Sequence, residues 1–113
     1  MGAFNILLME ISCSNCHTKY QGRIQFKFGS TWQNEYYIGD KIKWGGNDIG
    51  TPNISKVKVY GILEDEKCPN CKQKNENKEF DIIVEADKIS KVKILKDARD
   101  YLANEGNYKI LTN

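Results

Sequence analysis

Six stretches of the chain carry a period-two or short continuous apolar pattern, and each reads as a β-strand. Residues 4–11 (FNILLMEI) are a short apolar run whose length and flanks favour a strand over a helix. In 20–28 (YQGRIQFKF), Tyr20, Ile24, Phe26 and Phe28 share one face while Gln25 and Lys27 take the other, the signature of a half-buried strand. Val57 and Val59, continued by Gly61 and Leu63, alternate with Lys58, Tyr60 and Ile62. Residues 80–85 and 89–95 flank Ala86-Asp87-Lys88 and read as a hairpin, and 108–111 adds a small last strand.

Between these clear strands the pattern is weaker. Residues 31–38 (TWQNEYYI) and 41–44 (KIKW) alternate briefly around a Gly39-Asp40 turn and are predicted as two further strands. Residues 45–53 (GGNDIGTPN) are a loop by composition. The segment 72–78 is polar and solvated. A helix is predicted over 96–105 (KDARDYLANE), with Ala98, Tyr101 and Leu102 on one face and Gly106 in position to end it. The predicted class is mostly β with one C-terminal helix, in a single domain over residues 1–113.

Four cysteines interrupt this pattern, and they are all the chain has. They form two Cys-x-x-Cys turns, Cys13–Cys16 and Cys68–Cys71, each between predicted strands. Two such turns place four soft thiolates around one ion at about 2.3 Å, which predicts a structural tetrahedral zinc site. The expected frame is therefore a zinc-ribbon-like antiparallel sheet, with residues 17–67 as a β insertion between the knuckles. In each turn an asparagine, Asn15 or Asn70, precedes the second cysteine, and asparagine tolerates left-handed turn geometry.

Rival uses of the cysteines are two disulfides, a redox Cys-x-x-Cys pair and an iron centre with the same four ligands. Disulfides need an exporting context, and the short apolar run at 4–9 lacks the basic flank and small-residue cleavage site of a signal peptide. A redox pair opens a helix in an α/β pattern, whereas these open polar turns. Iron shares the ligand set and stays open. The expected setting is the cytoplasm. His17, the one histidine, reads as a turn residue beside a site already filled by four sulfurs, with ligation or a hydrogen bond to the site as alternatives.

The formal charge of +2 falls to near zero once four thiolates and a divalent ion are counted. Only Arg23 and Arg99 accompany the lysines, so the arginine forks that favour phosphate and base contacts are scarce. No apolar run approaches the roughly 18 residues of a membrane span. One histidine leaves no Ser-His-Asp arrangement to propose beyond His17, and Gly45, Gly46 and Gly50 match no phosphate-cradling motif. An enzyme with an open metal site is the minor alternative.

The densest aromatic stretch holds Phe26, Phe28, Trp32, Tyr36, Tyr37 and Trp44. Phe26, Phe28 and Trp44 are expected in the core. Trp32, Tyr36 and Tyr37, with Asn47 and Asp48, are candidates for partner binding, weighed against packing and turn-building. The leading expectation is a non-enzymatic domain acting through a protein partner, with Glu35, Asp40, Asp48 and the acidic run 64–66 offered to a basic surface. The alternative is a nucleic-acid-binding zinc ribbon using Lys41, Lys43, Lys56, Lys58, Lys72 and Lys74, with Trp32 or Tyr36 stacking.

FKFG at 26–29, YYIGDKIKWGGNDIG at 36–50 and the two knuckles together resemble a group of small bacterial split zinc-ribbon proteins. Some proteins of this type look like immunity partners of secreted polymorphic toxins. The resemblance spans residues 10–95. It carries over only the four cysteines, as metal ligands, and it implies a role in covering a toxin's active site or substrate groove.

Overall fold

The structure, a computed structural model, describes residues 4–64, 67–74, 78–101 and 106–112. In chain order the strands are β1 (Asn5–Ser12), β2 (Lys19–Phe26), β3 (Gly29–Ser30), β4 (Glu35–Tyr36), β5 (Asp48–Ile49), β6 (Lys56–Leu63), β7 (Glu79–Glu85), β8 (Lys88–Ile94) and β9 (Tyr108–Thr112). Two long hairpins form the frame. β1 and β2 pair antiparallel from Asn5↔Phe26 to Ser12↔Lys19, and β6 and β7 from Lys56↔Glu85 to Ile62↔Glu79. The hairpins join side by side where β2 meets β6, at Ile24↔Leu63 through Phe26↔Gly61. Both tips, one at 13–18 and one holding 67–74, therefore lie at the same end of the sheet.

The sheet order is β4-β1-β2-β6-β7-β8, with β9 also on β6. One edge of β6 is shared. Its second half, Gly61–Leu63, pairs with β2, and its first half, Lys56–Val59, pairs with β9. Gly61 permits the close approach at this fork, because a Cβ there would collide with Ile24 and Ile82. β4 pairs parallel to β1; the other ladders are antiparallel.

One face of the sheet is apolar, as the alternation requires. Leu7, Ile24, Phe26, Val57, Val59, Leu63, Phe80, Ile82, Val84 and Ile89 pack there. Residues 27–55 fold over that face as a cap and add Phe28, Tyr36, Ile42 and Ile54. Phe28 is the keystone. Its ring meets Trp44 edge-on at 5.3 Å and Tyr108 of β9 at 5.4 Å, so cap and last strand share one contact. The segment between the knuckles is thus no separate insertion: β2 and β6 sit at the middle of the sheet, and the cap closes its core.

Several expectations are corrected. The predicted strand 31–38 contracts to Glu35–Tyr36, and 41–44 to a single bridge, Lys41↔Lys88. Tyr36 and Trp44 pack on the core as single rings, while Trp32 and Tyr37 stay exposed, so no continuous alternation sustains a longer ladder there. The loop 45–53 holds β5, which pairs with β3 through Gly29↔Ile49 and Ser30↔Asp48. The predicted C-terminal helix over 96–105 is not formed: a single 3₁₀ turn, Ala98–Tyr101, stands there, and 102–105 lie outside the described residues. Tertiary bonds explain it. The Tyr101 hydroxyl donates to the buried carboxylate of Asp81, and the Lys96 N–H reaches the same carboxylate at 3.3 Å. These bonds pull the turn onto the sheet, and a lone short helix has too few turns to resist. Among the described residues, no helix is long and apolar enough to cross a membrane.

Candidate metal centre

Each hairpin tip is a knuckle, and the two have the same backbone. In the first, Cys13 N–H donates to Thr18 O (2.9 Å), His17 N–H to Cys13 O (3.0 Å), and Asn15 N–H to Cys13 Sγ (3.4 Å). In the second, Cys68 N–H donates to Gln73 O (2.9 Å), Lys72 N–H to Cys68 O (3.0 Å), and Asn70 N–H to Cys68 Sγ (3.4 Å). The left-handed residue is the one after the second cysteine, His17 at φ 61° and Lys72 at φ 63°. The asparagines do not occupy that conformation, which corrects the reason expected for them.

Their reason is across the gap. Asn70 Nδ2 points at Cys16 Sγ of the opposite knuckle (3.6 Å) and donates to Thr18 Oγ1 (3.0 Å). The Asn15 side chain makes the reciprocal bond to Cys71. Each knuckle thus supplies an amide to the other knuckle's sulfur. The sequence held the signal, the same residue at the same place in both turns, but only the juxtaposition gives it meaning.

All four sulfurs lie within 4.8 Å of one another, and the cysteines are free of disulfides. Cys13 Sγ is 3.6 Å from Cys71 Sγ, and Cys16 Sγ is 3.7 Å from Cys68 Sγ. Tetrahedral bonds of about 2.3 Å set sulfur–sulfur edges of about 3.8 Å. Two of the edges match that value, and the four cysteines are compatible with a metal site. An ion held by all four at tetrahedral corners keeps no position for water or substrate.

The thiols titrate unequally. Cys16 is lowered to about 5 by the Thr18 hydroxyl, the Thr18 backbone N–H and the Asn70 amide. The Asn15 amide and then the Gln73 N–H lower Cys71. Cys13 accepts the Cys16 and Asn15 N–H groups, which favour its thiolate, but burial and the Cys71 and Cys16 thiols outweigh them and hold it above the ordinary value. A cation replacing the remaining protons resolves this inequality. His17 is exposed and outside the sulfur cluster.

The partner-binding candidates do not converge. Tyr36 is in the core, 1% exposed, with its hydroxyl accepting the Lys43 N–H. Asn47 is spent on Thr31: its carbonyl accepts the Thr31 hydroxyl (2.6 Å), and its amide donates back (3.0 Å). Asp48 accepts the N–H groups of Gly45 and Gly46, both at 3.1 Å, and so builds its turn. Trp32 is 65% exposed beside Gly46, where a Cβ would strike its indole nitrogen. Tyr37 is 54% exposed but belongs to a different surface, lined by Leu8, Met9, Lys19 and Tyr20.

The acidic residues offered to a basic partner are also engaged. Arg23 pairs with Glu64 (3.0 Å) and Glu35 (3.3 Å), and Asp40 accepts the Tyr37 N–H (2.7 Å). Residues 65 and 66 lie outside the described residues. The lysines named for nucleic acid are scattered: Lys41 and Lys43 on the cap, Lys72 and Lys74 by the second knuckle, Lys56 and Lys58 on β6. Compared with known protein families, curated proteins and solved structures, the chain matches none.

Proposed function

We propose that this protein is a zinc-clasped binding domain of zinc-ribbon type, non-enzymatic, that works in the cytoplasm by docking on a protein partner. The observation that carries the metal role is the set of sulfur–sulfur edges, 3.6 and 3.7 Å, matched to a closed tetrahedral site. Zinc suits four thiolates and imposes no geometry of its own. A reducing compartment keeps the four cysteines available to it.

Trp32 supports the binding role. A tryptophan left largely in solvent on a braced turn is the residue type that anchors protein interfaces. Thr31 before it is fully buried and tied to Asn47, so the ring is displayed from a fixed base. The resemblance to split zinc-ribbon proteins gives the reading one specific form, in which the partner is a secreted toxin and the domain covers its active groove.

Two measurements test this. Purified protein should carry one zinc per chain and no visible absorption; a coloured iron form would replace zinc in the reading. Affinity capture from the native host should retain a stoichiometric protein partner with the wild type and lose it with Trp32→Ala. Equal capture by both, or no partner at all, sinks the binding role.

A further inference from the structure

The face of the sheet turned away from the core carries a groove of about 370 Å³. Its walls are rich in lysine: Lys56 on β6, Lys91 and Lys93 on β8, and Lys96 beyond it, with Lys58 of β6 buried at its base and its ammonium over the Tyr101 ring at 5.5 Å. Register explains the convergence. Lys58, Ile83 and Lys91 stand opposite one another across three strands, as do Tyr60, Asp81 and Lys93 in the next row. Along the strands the lysines form two rows, Lys56 and Lys58 on β6 and Lys91 and Lys93 on β8, about 10 Å apart, with neighbours in a row about 7 Å apart.

The acidic side chains of this face offset part of the lysine charge, and Asp81 itself lines the groove. Strand β7 contributes Glu79, Asp81 and Glu85, and each is engaged by a hydroxyl. Tyr60 donates to Glu79 (2.7 Å), Tyr101 to Asp81, and Ser90 to Glu85 (2.9 Å). Among the described residues, the ammonium groups of Lys56, Lys91, Lys93 and Lys96 make no ion pair. Lysines gathered this way repel one another, and an anionic occupant relieves the repulsion.

The lining also has an apolar part. Ile94, 57% exposed at the end of the edge strand, and Leu111, 41% exposed, also line the groove with buried Ile83. Among the described residues, no exposed aromatic ring lines it to give bases a stacking platform, and no arginine lines it to fork a phosphate. Lysine rows around aliphatic side chains match carboxylates alternating with aliphatic residues. In an extended chain, carboxylates two residues apart are also about 7 Å apart.

We propose that this groove receives an extended acidic segment of a protein partner, its carboxylates between the lysine rows and its aliphatic side chains on Ile94 and Leu111. The assignment rests on the protein-partner reading and gives that partner its charge.

The experiment uses fluorescence anisotropy with the zinc-loaded full chain and a labelled nonapeptide, EELEIELEE. Controls are the neutral QQLQIQLQQ and a labelled 12-mer oligothymidylate. The acidic peptide should bind, weaken as salt rises, and lose at least about tenfold in affinity with Lys91→Glu/Lys93→Glu. Lys72→Glu/Lys74→Glu, at the knuckle, should leave it unchanged. Zinc content and thermal melting of each variant confirm folding, since all four positions are exposed. Equal binding by the β8 variant, equal binding of the neutral peptide, or tighter binding of the oligonucleotide overturns the assignment. If it falls while capture still depends on Trp32, the protein-partner reading survives; if capture ignores Trp32, that reading fails separately.

Discussion

The two ends of the long sheet are closed by different physics. At one end, four sulfurs from two hairpin tips surround a metal position. At the other, the β7–β8 tip is held by backbone groups of the cap. Asn53 N–H donates to the Asp87 carboxylate (3.1 Å), Ala86 N–H to Ser55 O (3.1 Å), and Ile42 N–H to Asp87 O (2.7 Å). The knuckle end has little apolar material to pack, so it depends on a ligand bound from solution. The hairpin end borrows the core through Ile42, Ile54 and Ile89, which are buried there. Metal therefore matters most where the hydrophobic effect has least surface to act on.

The strongest way to break the comparison is Cys68→Ser. It should abolish stoichiometric zinc and lower the melting temperature by more than about 10 °C, since structural zinc contributes binding energy directly to folding. Hydrogen exchange should then rise around 13–18 and 68–73 while 86–89 stay protected. Uniform loss of protection would show that the two ends are one cooperative unit.

Asn70→Ala should act on the same end with less force. It removes the amide from Cys16 and Thr18 and should weaken zinc binding about 10- to 100-fold, measured by chelator competition. Unchanged affinity would reduce the asparagine pair to turn residues. At the other end, Asp87→Ala removes the carboxylate from the exposed Asn53 N–H and should cost about 0.5–1.5 kcal/mol in denaturant melts, with zinc affinity unchanged.

The smallest change should be a gain. Ala86 and Asp87 both have positive φ, 50° and 64°, the signature of a type I′ hairpin turn. Alanine pays a steric penalty there that glycine does not. Ala86→Gly should stabilise the protein by about 0.5–1 kcal/mol, again without touching the metal. A loss of stability would mean that the turn is held by something other than its own backbone preference.

How much of this was legible in the sequence follows from where each residue's partners lie. Ile24 and Phe26, or Val57, Val59 and Leu63, alternate because a whole strand faces one core, so periodicity reveals them. The cap residues 27–55 obey no single period. Tyr36 packs its ring on Phe26 at 5.8 Å and Trp44 packs on Phe28, each as an isolated knob. Trp32 and Tyr37 sit among the same polar neighbours as Tyr36, and only the packed structure separates them. The helix pattern at 96–105 was locally sound but was overruled by one buried carboxylate, Asp81. At the metal centre the cysteine spacing was sufficient. The asparagine exchange and the lysine groove were not visible, because both arise from residues that strand register brings together across the sheet.

The fork at β6 couples two distant parts of the chain through register. Because β2 and β9 occupy consecutive stretches of one edge, the hydrogen-bonding length open to each is fixed by the other. A β2 strand that slid two residues toward Lys56 would claim the ladder positions of β9 and evict it, and the Tyr108 ring would leave Phe28. Docked β9 and a slipped β2 are thus mutually exclusive, so the fork ties the register of the first hairpin to the seating of the chain's last strand.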